Sequence, residues 1–68
     1  MILRVELEQE EDGRWIAEIP ELSGALSYGH SEAEARSRVQ ALALRILADR
    51  LEHGEQSPEL GTISFAAA

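Results

Sequence analysis

The chain has 68 residues, 13 acidic and six basic, for a formal net charge of −7, and every base is an arginine. A chain this short buries only about 60% of the surface its unfolded form exposes, which leaves room for one domain, residues 1–68, with a thin core. Such a balance repels a phosphate backbone and suits either a basic protein partner or plain solubility; with no cysteine, neither disulfides nor a thiolate metal cage can reinforce the fold.

Residues 2 to 9 alternate strictly, with Leu3, Val5 and Leu7 on one side and Arg4, Glu6 and Glu8 on the other. That period of two predicts a half-buried strand and interrupts any apolar run long enough for a signal peptide or a membrane span, so the expected location is cytoplasmic. Glu10-Glu11-Asp12-Gly13 makes a polar turn, and residues 14 to 19 alternate again, with Trp15, Ala17 and Ile19 set against Arg14 and Glu18. The two runs predict a β-hairpin. Pro20 stops ladder donation and Gly24 permits a reversal, which makes residues 25 to 28 a short third strand.

Ser31-Glu32-Ala33-Glu34 matches a capping box, and Gly54 stands where a left-handed residue ends a helix, so one helix is predicted over residues 32 to 53. His53 near its C-terminus suits the helix dipole when protonated. At about 100° per residue, Ala35, Val39, Leu42, Ala43 and Ile46 form the stripe that packs on the sheet. Ala33, Leu44, Leu47 and Leu51 fall roughly 120 to 180° away. The expectation is that Leu44, Leu47 and Leu51 lie in an oligomer interface, a dimer or tetramer, or beneath a C-terminal strand. Residues 55 to 61 form a polar connection, and residues 62 to 66 alternate as a short fourth strand around Ile63 and Phe65, pairing within or between subunits. The fold class expected is α+β: a three-stranded antiparallel sheet, one long helix and a short fourth strand, in the order β-β-β-α-β.

Read as a pattern, Asp12-Gly13-x-Trp15-x-Ala17-x-x-Pro20-x-Leu22-x-Gly24 followed by Gly29-x-Ser31-x-x-Glu34-Ala35 resembles the HicB antitoxin domain over nearly the whole chain. The resemblance implies a partial RNase H-like fold and a partner: a small, basic HicA-type toxin that cleaves messenger RNA. Many members carry a C-terminal helix-turn-helix or ribbon-helix-helix. Only about fifteen residues follow the helix here and no basic cluster lies among them, so the expectation is a stand-alone form that does not contact DNA or RNA directly.

Glu6, Glu8, Glu10, Glu11 and Asp12 crowd the first hairpin and are the candidate partner-binding residues, since they could face the arginines and lysines of an RNA-binding toxin. A solvated strand face and turn tip would carry the same residues. Glu6, Glu8 and Glu18 could gather on one sheet face as magnesium ligands do in true RNase H-like nucleases, but on an open surface with no cleft to exclude water. His30 and His53 lie about 35 Å apart along the helix and cannot share a metal. Ser31 has no base beside it and reads as a cap. Trp15 faces the helix, and Arg36 and Arg38 pair with Glu32 and Glu34 at i,i+4 spacing. The sequence therefore predicts a non-enzymatic, antitoxin-like binding module with no metal, cofactor or membrane contact. The alternatives are a stand-alone oligomer binding a small ligand and a vestigial nuclease.

Overall fold

A computed structural model describes residues 1–55 and 61–67. The elements are β1 (Ile2–Gln9), β2 (Trp15–Glu18), β3 (Leu26–Gly29), α1 (Glu32–Glu52) and β4 (Ser64–Ala67). One mixed sheet of four strands in the order β3-β2-β1-β4 carries the helix on one face, so the domain is a two-layer α+β sandwich. The predicted fourth strand exists and pairs within the chain, parallel to β1 with Leu3 beside Phe65. Residues 56 to 60 of the predicted polar connection lie outside the described residues, as does Ala68.

Each turn has a local cause. The first hairpin closes with Gly13 donating to the Glu10 carbonyl (3.0 Å), Glu10 donating to the Arg14 carbonyl (2.7 Å), and Gly13 at φ +91°. This is a three-residue loop whose left-handed position only glycine occupies without strain. Arg14 pairs across that loop and Ile19 donates to the Ala25 carbonyl in the next reversal, so β2 is two residues shorter than its alternation suggests. Residues 19 to 25 reverse through successive bonds from Leu22 to the Ile19 carbonyl and from Ala25 to the Leu22 carbonyl.

Ser31 caps α1, its Oγ accepting from the Glu34 amide at 3.1 Å, while Glu34 reaches back to the amide of His30 at 3.2 Å, one residue beyond the usual capping-box partner. At the other end Glu55 donates to the Arg50 carbonyl and Gly54 to that of Leu51, the paired bonds of a Schellman motif.

The core is built from Leu3, Val5, Ala17, Ile19, Leu22 and Ala25 below and Ala35, Val39, Ala43 and Leu47 above. Leu47 is the correction. It is 3% exposed and belongs to this core, so it is not available to an oligomer interface. The buried row of α1 runs Ala35, Val39, Ala43, Leu47 in steps of four, and each step drifts about 40° round the helix, which carries the row to Leu47 and leaves Leu42 and Ile46 half-buried at its rim. Leu44 and Leu51 are 49% and 53% exposed, so β4 covers neither.

Alanines at four of the ten core positions let the helix sit close to the sheet. The approach is tightest at Gly29, where a Cβ would stand 2.5 Å from the Ala35 amide nitrogen.

Candidate functional site

Side chains alternate across a strand, so the residues that build the core fix what the opposite face must carry. With Leu3, Val5, Ala17 and Ile19 turned to α1, the outer face displays Ile2, Arg4, Glu6 and Glu8 from β1 and Ile16 and Glu18 from β2. Leu26 and Tyr28 from β3 join them, because Glu18 pairs with Leu26 and Ile16 with Tyr28 in the antiparallel register. No described element lies over this face.

Its centre is a shallow depression of about 400 Å³ lined by Glu6, Leu7, Glu8, Ile16 and Glu18. Glu6 stands directly opposite Glu18, and Glu8 directly opposite Ile16. Like charges in that relation lie about 5 Å apart at Cβ and destabilise the pair of strands. Apolar groups border the acids: Leu26 and Tyr28 are each 40% exposed and Ile2 is 66% exposed.

The cation on this face is already engaged. Arg4 donates through Nε to Glu21 Oε2 at 2.6 Å, and its amide donates to Oε1 of the same carboxylate at 3.1 Å. The hydrogen bond from Arg4 holds the Glu21 carboxyl below its ordinary range, and the same bond raises Arg4. Arg14 lies beside the face, with its guanidinium carbon 4.9 Å from the Tyr28 ring centroid.

Of the five acids that the sequence nominates, only Glu6 and Glu8 share this face. Glu10 and Glu11 belong to the turn, and Asp12 is committed within it: Oδ1 accepts the Arg14 amide at 3.0 Å and Oδ2 accepts Arg14 Nε at 2.7 Å. The backbone bond from Arg14, followed by the side-chain bond, lowers the Asp12 pKa. Asp12 fixes the turn.

Glu6, Glu8 and Glu18 share one sheet face, as their alternation predicts, and the structure adds Ile16, Leu26 and Tyr28 to them. Glu18 is already on the correct side by parity of the hairpin. Ile16 is hidden because it follows Trp15 in an apolar pair that blurs the alternation, and Leu26 and Tyr28 depend on the register of β3, which the sequence leaves open.

Among the described residues no group of three or more histidine, aspartate or glutamate side chains is placed to hold a metal ion. Nor is any described helix long and apolar enough to cross a membrane. His53 sits at the helix end, Nδ1 lying 2.7 Å from the Asp49 carbonyl and 3.4 Å from Asp49 Oδ1. Tyr28 and Trp15 lie on opposite faces of the sheet, Trp15 packing against the core and so giving no continuous stacking platform with Tyr28. What this face offers chemically is a concave, negatively charged strip with apolar margins.

No family model, curated protein or solved structure matches the chain.

Proposed function

We propose that this chain is a HicB-like, antitoxin-type binding module that takes a small basic protein onto the open face of its sheet. It acts without catalysis, in the cytoplasm, where a HicA-type toxin would cleave messenger RNA. The observation that carries this reading is the outer face itself: Glu6, Glu8 and Glu18 crowd round Ile16 with Leu26 and Tyr28 exposed beside them. Carboxylates in that arrangement attract the cations with which an RNA-binding surface normally holds phosphates, and the apolar groups provide the desolvated contacts that set the lifetime of a complex. The order β-β-β-α-β and the pattern from Asp12 to Ala35 support the family assignment and the partial RNase H-like fold.

The division of labour between the acids follows from their placement. Glu6, Glu8 and Glu18 touch the partner, whereas Glu10 and Glu11 at the hairpin tip act at longer range on the encounter.

A HicA-type ribonuclease mixed with this chain provides the test. Cleavage of messenger RNA should stop at equimolar ratio, and replacing Glu6, Glu8 and Glu18 together by glutamine should restore it while the far-ultraviolet circular dichroism stays unchanged. The association rate should fall as salt rises, since exposed charges are screened beyond about 8–10 Å near physiological ionic strength. Uninhibited cleavage with the unaltered chain, or inhibition that survives the triple substitution, overturns the assignment of this face. Duplex DNA is the control, and a net charge of −7 predicts no binding to it at physiological salt.

A further inference from the structure

The two neighbours of β1 cover it in halves: β4 runs beside residues 2 to 5 on one side, and β2 runs beside residues 6 to 9 on the other. Successive residues of a strand turn their N–H and C=O groups to opposite sides. Glu10 donates to the Arg14 carbonyl, so Glu6 and Glu8 bond to β2 while Leu3, Val5, Leu7 and Gln9 turn the other way. β4 meets Leu3 and Val5. Leu7 and Gln9 lie past its end, and no described strand stands beside their amides and carbonyls.

Other margins of the sheet are blunted, as exposed edges usually are. Where β1 runs on past β2, the Arg4 amide donates to Glu21 Oε1 at 3.1 Å. Along β3 the Leu26 amide donates to the Gly24 carbonyl at 3.0 Å, and the Tyr28 carbonyl accepts from Arg38 Nη1 at 3.1 Å. The outer edge of β4 is open at Phe65 and Ala67, but Ser64 and Ala66 beside them on the outer face carry no charge. The step in β1 is open and charged.

We propose that an extended segment of a basic protein adds at this step as a short antiparallel strand, pairing with Leu7 and Gln9 of β1. Cross-strand neighbours share a face, so the outward residues of the segment lie beside Glu6 and Glu8 and its inward residues beside Leu7. The outer side calls for bases: Glu10 and Glu11 at the turn add to the negative field, and Arg4 is already held by Glu21. The inner side calls for apolar residues. Leu7 is half-buried, and at the end of β4 opens a hollow of about 170 Å³ lined by Val5, Arg36, Gln40, Phe65, Ala66 and Ala67, where Arg36 would repel a base.

The occupant is therefore a strand in which lysine or arginine alternates with valine, isoleucine or leucine. In the antiparallel sense Leu7 and Gln9 each exchange a pair of backbone bonds with the residue opposite, about four bonds in all. Backbone pairing fixes the register of the segment, and the alternating side chains select its sequence. The proposal says how the basic partner is gripped at the rim of the open face, and it rests on that reading of the face.

The probe is a blocked peptide of about ten residues in which valine alternates with lysine, titrated into the intact chain at low salt and followed by amide hydrogen exchange. It should bind with a dissociation constant of about 0.1–1 mM and slow exchange at the Leu7 and Gln9 amides about fivefold or more near saturation. Methylating every valine nitrogen removes the donors that face β1 and should weaken binding at least about 10-fold, whereas methylating every lysine nitrogen, which faces solvent, should not. Gln9→Pro deletes an edge donor that takes no part in the ladder with β2; it should weaken binding about fivefold with the far-ultraviolet circular dichroism unchanged. No binding up to about 5 mM overturns the proposal. So does equal affinity for the two methylated peptides, or protection that falls on Phe65 and Ala67 instead. Inhibition of a HicA-type ribonuclease with Leu7 and Gln9 still exchanging freely would keep the partner and overturn the edge. Peptide capture at the edge without such inhibition would keep the edge and overturn the partner.

Discussion

The two faces of the sheet are made by alternate residues of the same strands, yet they are built to different rules. The inner face offers Leu3, Val5, Ala17 and Ile19 to a helix whose own contacts are Ala35, Val39, Ala43 and Leu47, and all eight are 3% exposed or less. The outer face sets Glu6 opposite Glu18 and leaves Leu26 and Tyr28 at 40% exposure. Folding rewards the first arrangement. It gains nothing from the second, in which like charges oppose one another and apolar groups stay wet, so the outer face carries features that stability does not explain.

The largest effect expected is the loss of a core side chain. Ile19→Ala or Leu3→Ala removes a fully buried side chain and should cost about 2–5 kcal/mol, enough to leave so small a domain largely unfolded at 37 °C. Ile16→Ala, one strand position from Ala17 but on the outer face, should cost less than about 1 kcal/mol. Urea titration of the two isoleucine variants measures the comparison directly. Equal losses would mean that the outer face is part of the core after all.

Gly29→Ala probes the same asymmetry at the backbone. Its new Cβ would lie 2.5 Å from the Ala35 nitrogen and 3.0 Å from both Ala35 Cα and the Glu34 carbonyl carbon, all main-chain atoms at the start of the helix. The helix must lift off β3, at a cost of about 1–3 kcal/mol. A neutral result in a melting experiment would show that the helix N-terminus is not pressed on the sheet. Ser31→Ala removes the cap acceptor for the Glu34 amide and should cost about 1 kcal/mol, most of which Ser31→Asp should restore. If aspartate restores nothing, the serine is not acting as a cap.

The same division explains what could be read in advance. Asp12 and Gly13 make a turn, Leu22 is buried, Gly24 reverses the chain at φ +86°, Gly29 admits Ala35, and Ser31 with Glu34 caps the helix. Residues with such narrow conformational duties leave a legible pattern, and the element order follows from them. Those same residues are why the resemblance speaks to the fold first. None of Glu6, Glu8, Ile16, Glu18, Leu26 and Tyr28 belongs to the pattern, because side chains on the open face of a sheet have no turn, cap or close-packing duty that fixes their identity. The expected place of Leu47 in an interface fails for a related reason: a 100° wheel fixes angles within the helix but not which angle faces the sheet, and the close contact of Ala35 with Gly29 turns it toward Leu47.

The smallest effect expected is also the one that separates the two faces by sign. Glu18→Gln removes half of a like-charged pair directly across from Glu6, and relief of that repulsion should stabilise the domain by about 0.2–1 kcal/mol. The gain should vanish when Glu6 is already glutamine, so a double-mutant cycle in urea isolates the pair from any change in solvation. Raising the salt concentration should shrink the gain in the unaltered background, since both carboxylates are exposed and their repulsion is screened. Substitution on the inner face can only lose stability by comparison, because its residues already meet the partner for which they are shaped. An increase in stability from Glu18→Gln accompanied by slower association with a basic partner would identify the repulsion as the cost of keeping a binding surface ready. A loss of stability would mean that Glu18 serves the fold, and the contrast between the faces would have to be drawn without it.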